Sequence, residues 1–160
     1  YLETEDDGVI FDSTVINEYL DDKYPDPALK PESASDLARM RMLENFADEA
    51  FLVGDLPKIW MPIWSKPEDR NVDSMEAGRE GLRSRGLPYL EKELEGREYL
   101  CGTFSLADAP FMAVAMVLQV DGMNLSGFSN TNVYLERLRA RASYQSISPL
   151  TSLDDSAGSG

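Results

Sequence analysis

The chain has 160 residues, 42% of them apolar and 28% charged, which is the composition of a globular protein and a length for one domain, or one domain and part of another. Its formal net charge of −14 repels phosphate backbones and anionic lipid heads, so nucleic acid and membrane are poor partners. There is no histidine and a single cysteine, Cys101, which excludes His-dependent triads, zinc sites built on His or several Cys, and internal disulfides. No metal is expected, and the cytoplasm is the default compartment. The longest apolar run, 109–120, contains Pro110 and Gln119 and is well short of the roughly 20 residues that cross a bilayer.

In chain order, Tyr1-Leu2-Glu3-Thr4 and Val9-Ile10-Phe11 flank Glu5-Asp6-Asp7-Gly8, which predicts a hairpin of two short antiparallel strands. Val15, Ile16, Tyr19 and Leu20 then recur at helical spacing, with Ser13 as the expected N-cap and Tyr24-Pro25 as the stop. One hairpin and one helix do not make a stable unit, so residues 1–24 read as the end of a sheet domain, and a chain opening on Tyr1 inside a strand reads as a fragment. Pro25, Pro27 and Pro31 mark residues 25–35 as a linker.

Beyond the linker every periodic segment is helical, so 36–147 is expected to be all-α. Leu37, Met40, Leu43, Ala47 and Phe51 share a face of a first long helix that Pro57 and Pro62 must kink or break. A second helix carries Met75, Leu82, Tyr89, Leu90 and Leu94, with a bend near Gly86 and Pro88. Residues 105–120 are apolar on nearly all sides and predict a buried central helix. A last helix near 132–142 ends in Arg137, Arg139 and Arg141, which alternate and so read as a solvated helix end. The Ser-, Asp- and Gly-containing tail, 148–160, is expected to be disordered.

The most specific local pattern is Phe104-Ser105-Leu106-Ala107-Asp108. Ser105 and Asp108 have the spacing of a capping box, in which each side chain serves the other's amide at the start of the central helix. Preceded by Tyr99-Leu100-Cys101-Gly102, it resembles the glutathione transferase superfamily. The resemblance extends through Asp12-Ser13-Thr14-Val15-Ile16-Asn17-Glu18-Tyr19-Leu20, Asp26-Pro27-Ala28-Leu29 with Pro31, Leu90-Glu91-x-x-Leu94, Tyr134-Leu135-Glu136-Arg137 and Arg141-Ala142-Ser143-Tyr144. Ala142 departs from the family's usual proline, and its initial β-α-β unit has no counterpart in the chain.

The resemblance implies a mainly α fold, in which a partial thioredoxin-like β-β-α segment precedes an all-α C-terminal domain. It implies glutathione as co-substrate, a small hydrophobic electrophile as second substrate, and a homodimer. Asp12 and Ser13 are the implied γ-glutamyl-binding residues, Ser13 suiting the carboxylate and Asp12 the ammonium. By capping preference alone the pair is only a helix start. The family's activating Tyr, Ser or Cys and its cis-proline belong ahead of Tyr1, so the catalytic residue is unknown. Trp60 and Trp64, four apart on a helix, suit either an apolar substrate pocket or core or dimer packing. Cys101, between Leu100 and Gly102, reads as a packed thiol. The alternative function is a non-catalytic module of the same fold used for protein contact, like the stringent-starvation and translation-factor relatives.

Overall fold

In the computed structural model, which describes residues 1–147, strands β1 (Leu2–Thr4) and β2 (Gly8–Ile10) pair antiparallel with Glu3 opposite Val9. Gly8 closes the turn at φ 78°, a conformation open to residues without a Cβ. Helix α1 (Ser13–Lys23) packs back on this turn, where the Asp7 carboxylate accepts from Tyr19 Oη at 2.5 Å and Lys23 Nζ at 3.0 Å. The N-cap is Asp12 and not Ser13: the Asp12 carboxylate accepts from the amides of Thr14 and Val15, and Ser13 becomes the first helical residue. Asp and Ser cap about equally well, so the first of two adjacent capping residues takes the role when its side chain reaches the second and third amides.

The linker is held at its middle, to α1 on one side and to the helical body on the other. The buried Asp21 carboxylate accepts from the Leu29 and Lys30 amides at 2.6 and 3.2 Å, and the Leu29 carbonyl accepts from the Leu106 amide at 3.2 Å. The remaining described elements are helical, in agreement with a mainly α chain. Residues 148–160, the expected disordered tail, lie outside the described residues.

Helix α2 (Ala34–Ala47) runs into a π-helical stretch, Asp48–Asp55, and on into α3 (Leu56–Ile63). Helix α4 (Val72–Gly81) does the same through Leu82–Gly86 into α5 (Leu87–Glu93). The breaks expected near Pro57 and Pro88 take this form. A proline donates no hydrogen bond and crowds the carbonyl four residues back, and a widened turn just ahead of it lets the helix continue. The two wide turns pack on each other. A Cβ at Gly86 would lie 2.9 Å from the Phe51 ring, and one at Gly81 would lie 2.2 Å from the Asp55 carboxyl, so glycine is required at both approaches.

A 3-10 turn (Leu106–Asp108) leads into α6 (Ala109–Asp121), followed by α7 (Ser129–Arg139) and α8 (Ala142–Ile147). Phe111, Val114, Ala115, Val117 and Leu118 of α6 are buried against Phe51, Leu82, Leu90 and Leu135. The helix is enclosed on that side only: Met112 and Met116 are half-buried and Val120 is exposed, which corrects the expectation of burial all round. The three C-terminal arginines are also not a solvated end. Arg137 reaches the Glu98 carbonyl, Arg139 donates to the Ala115 carbonyl at 3.0 Å, and Arg141 stacks on Phe104 with Cζ 3.5 Å from the ring centroid. They point to different neighbours because α7 ends among three of them, and alternation along a helix spreads rather than wastes their bonds.

Candidate ligand-binding site

The start of α1 is exposed and polar. Asp12 has φ 75°, and it is the one non-glycine with positive φ among the described residues. Such backbone costs on the order of 1–3 kcal/mol and marks places where geometry matters more than local comfort. Asp12 Oδ1 accepts from the Thr14 and Val15 amides at 3.0 and 3.2 Å, and the Asp12 carbonyl accepts from the Ile16 amide at 2.9 Å. Three of the first four amides of the helix are thereby satisfied. The Ser13 amide and hydroxyl are left for an incoming anion, and the second Asp12 oxygen for an incoming cation. Held side by side, they match the two poles of an amino-acid zwitterion.

Two further carboxyls stand behind this helix start and carry no sequence signal. Burial, together with the charge of Asp12, pushes the Asp48 carboxyl up, so the two residues share one negative field that favours a cation. Glu44, one turn back on α2, is only 1% exposed, and burial pushes its carboxyl up to about 7. Both come from the helical body and meet α1 only in the fold, which is why a reading of local motifs misses them.

The two tryptophans separate. Trp60 lines an apolar cavity of about 190 Å³ between α3 and α6, with Leu52, Leu56, Pro57, Ala113, Met116 and Val117. Trp64 is 65% exposed and does not line the cavity; it meets Trp60 edge to face at 4.8 Å. A larger cavity, about 460 Å³, lies over the first wide turn beside Phe46, Glu49 and Ala50. Its floor is the buried Asp55 carboxylate, held by Lys58 at 2.8 Å and Arg85 at 2.7 Å.

The Ser105–Asp108 capping box forms, and it extends well beyond its own turn. Asp108 is fully buried; its Oδ2 accepts from Ser105 N and Oγ at 2.8 and 3.1 Å, and its Oδ1 accepts from Leu100 N and Tyr134 Oη at 3.1 and 2.9 Å. This is a structural hub with no open face for a ligand. Cys101 beside it is half-buried, and burial pushes its thiol up, which disfavours the nucleophilic thiolate.

No family profile and no curated protein matches the chain. Solved structures do. A glutathione transferase from Methylococcus capsulatus str. Bath is 28% identical, covering 94% of this chain and 72% of its own, with a TM-score of 0.70. A theta class glutathione S-transferase from Xanthomonas axonopodis pv. citri, with glutathione bound, is 20% identical, covering 91% of this chain and 77% of its own at a TM-score of 0.77. A glutathione transferase homolog from Sulfitobacter, also with bound glutathione, is 21% identical and covers 98% of this chain and 81% of its own at a TM-score of 0.70.

Proposed function

We propose that the chain is a member of the glutathione transferase superfamily, whose fold it shares, and that it holds the γ-glutamyl end of glutathione at Asp12 and Ser13. The observation that carries this is the Asp12 backbone at φ 75°, with one carboxylate oxygen on the Thr14 and Val15 amides, an arrangement in which the Ser13 amide takes no part in the cap. Ser13 takes the α-carboxylate and Asp12 the α-ammonium, with Asp48 adding to the negative field. The glutathione-bound neighbours support the ligand class.

The protein transfers glutathione to small hydrophobic electrophiles. The thiol of free glutathione is largely protonated at neutral pH, so the useful act is to lower its pKa. In the family that act belongs to a residue ahead of the segment matched by Asp12-Ser13. The apolar cavity beside Trp60 suits the electrophile, with Trp64 at most at its rim. Residues 1–24 are the glutathione-binding domain in part, 25–35 its linker, and 36–147 the helical domain. A homodimer is part of this reading, and Met42 and Val53 are among the exposed apolar side chains of the helical domain that such an interface would cover. The protein works in the cytoplasm.

Calorimetric titration of glutathione tests the site. Asp12→Asn keeps a side chain that caps helices and tolerates positive φ, but it removes the charge that meets the ammonium. Charge-assisted bonds are strong enough that the dissociation constant should rise by about 10- to 150-fold while the melting temperature holds. Ser13→Ala should weaken binding less, because the amide remains. Equal affinity in parent and both variants would reduce Asp12 and Ser13 to a helix cap, and it would favour the protein-contact module.

A further inference from the structure

Helix α1 joins the helical body across a thin seam. Asp21 is its only buried residue, while Val15 and Leu20 are exposed. Its polar tie is Glu18, whose two carboxylate oxygens accept from Arg41 Nε and an Arg41 terminal nitrogen, each at 2.6 Å. Into this seam α2 projects Glu44. Its Oε2 is buried with no hydrogen-bond partner among the described residues. An ionised carboxylate in that position is costly unless it is paired.

The charges around Glu44 do not supply that pairing. From α1 it meets Glu18, which repels it, and the uncharged Asn17 and Thr14, which favour its ionised form. From its own stretch of chain it meets Asp48, which also repels it and which itself feels Asp12. Arg41 attracts the Glu44 charge, but its guanidinium hydrogen bonds go to Glu18. Farther along the seam, Lys30 is paired with Asp22. Desolvation and two like charges thus outweigh Asn17 and Thr14, and the carboxyl sits near the middle of its titration at neutral pH.

We propose that Glu44 is a pH-dependent latch between the N-terminal β1–β2–α1 segment and the helical body, closed when its carboxyl is protonated and loosened when it ionises. A carboxyl raised in the docked state favours docking below its undocked pKa, and that contribution is lost as pH rises through the docked value. From the ordinary glutamate value of 4.5 and a docked value of about 7, the docking equilibrium should weaken about tenfold between pH 6 and pH 8. This inference does not depend on glutathione. It concerns the helix that carries Asp12 and Ser13, so any ligand held there would be released more readily in alkali.

The test is amide hydrogen exchange of the full chain at pH 6 and pH 8, expressed as protection factors so that the intrinsic pH dependence of exchange is removed. Protection of the α1 amides should fall about tenfold from pH 6 to pH 8, while that of α6 changes little. Glu44→Gln keeps the shape without the titration and should abolish the fall. Glu18→Gln frees Arg41 for Glu44 and removes a repelling charge, so it should move the fall to lower pH and gives a second route should Glu44→Gln not fold. Carbon-13 detection of the Glu44 carboxyl gives its midpoint directly. Equal protection of α1 at the two pH values, an undiminished fall in Glu44→Gln, or ionisation of Glu44 below pH 5 would each overturn the proposal.

Discussion

Asp108 shows how far a residue's role extends past the motif that betrays it. Its pairing with Ser105 is legible because a capping box is a three-residue spacing, whereas its bonds to Leu100 and Tyr134 depend on chain brought together by folding. Asp108→Ala strands the Leu100 and Ser105 amides and the Tyr134 hydroxyl, all in the interior. The variant should be less stable by about 3–5 kcal/mol, more than an exposed cap is worth, as measured by the urea unfolding midpoint. An unchanged midpoint would mean that these bonds do not form in solution. Glu91 is the opposite case, since its sequence pattern says nothing of its function. Its carboxylate, reaching from α5, accepts from the amides of Asn130 and Thr131 and the hydroxyl of Thr131, and so caps α7 from another helix. Burial raises its pKa, but the Thr131 and Asn130 amides outweigh it and hold the carboxyl below its ordinary value. A lowered carboxyl contributes stability that is present above its unfolded pKa and lost as pH falls through its folded one. Stability profiles in urea from pH 7 to pH 3 should therefore fall less steeply for Glu91→Gln than for the parent, from a lower starting value at pH 7. Parallel profiles would count against the cap.

Among the elements, the wide turns were legible only as interruptions. Pro57 and Pro88 announce that an ordinary α-helix cannot pass, but a break, a kink and a π turn all satisfy that requirement. Tertiary contacts favour the π turn: Phe51 of the first wide turn rests over Gly86 of the second, and Asp55 over Gly81 at the end of α4. Glycine at these positions reads in the sequence as a helix weakness, while in the fold it is the surface on which the other helix rests. Gly81→Ala would put a methyl group 2.2 Å from the Asp55 carboxyl, which is itself pinned by Lys58 and Arg85. Neither neighbour can yield without losing an ion pair, so destabilisation of about 3 kcal/mol is expected, at the upper end of overpacking costs. Combining it with Asp55→Ala should recover part of the loss relative to the sum of the single changes, which a double-mutant cycle measures. Strict additivity would show that the clash is relieved elsewhere.

At the scale of the whole molecule, the order strand, strand, helix, linker, helices was legible because each element has its own periodicity or stop signal. The seam between the first three elements and the rest was not, since it is made of Glu18, Asp21, Arg41 and Glu44, polar residues that look like solvated surface in the sequence. Polar seams of this kind are specific in geometry and modest in strength, because hydrogen bonds and exposed ion pairs trade against water. The two parts of the molecule should then differ in how often they open. β1 and β2 form a sheet of only two strands, too small to be stable alone, and Phe11, Val15 and Tyr24 lie exposed beside it. Helix α6, by contrast, sits in the core with Phe111, Val114 and Leu118 buried, so its amides exchange only through near-global unfolding. Hydrogen exchange at pH 6, where Glu44 favours docking, should show residues 2–23 exchanging at least tenfold faster than 109–121. Their rates should respond weakly to stabilising or destabilising changes in the helical core such as Gly81→Ala, because opening of the segment does not require the core to open. Equal protection in both regions, or protection of 2–23 that rises with protein concentration, would mean that another copy of the chain covers the exposed edge.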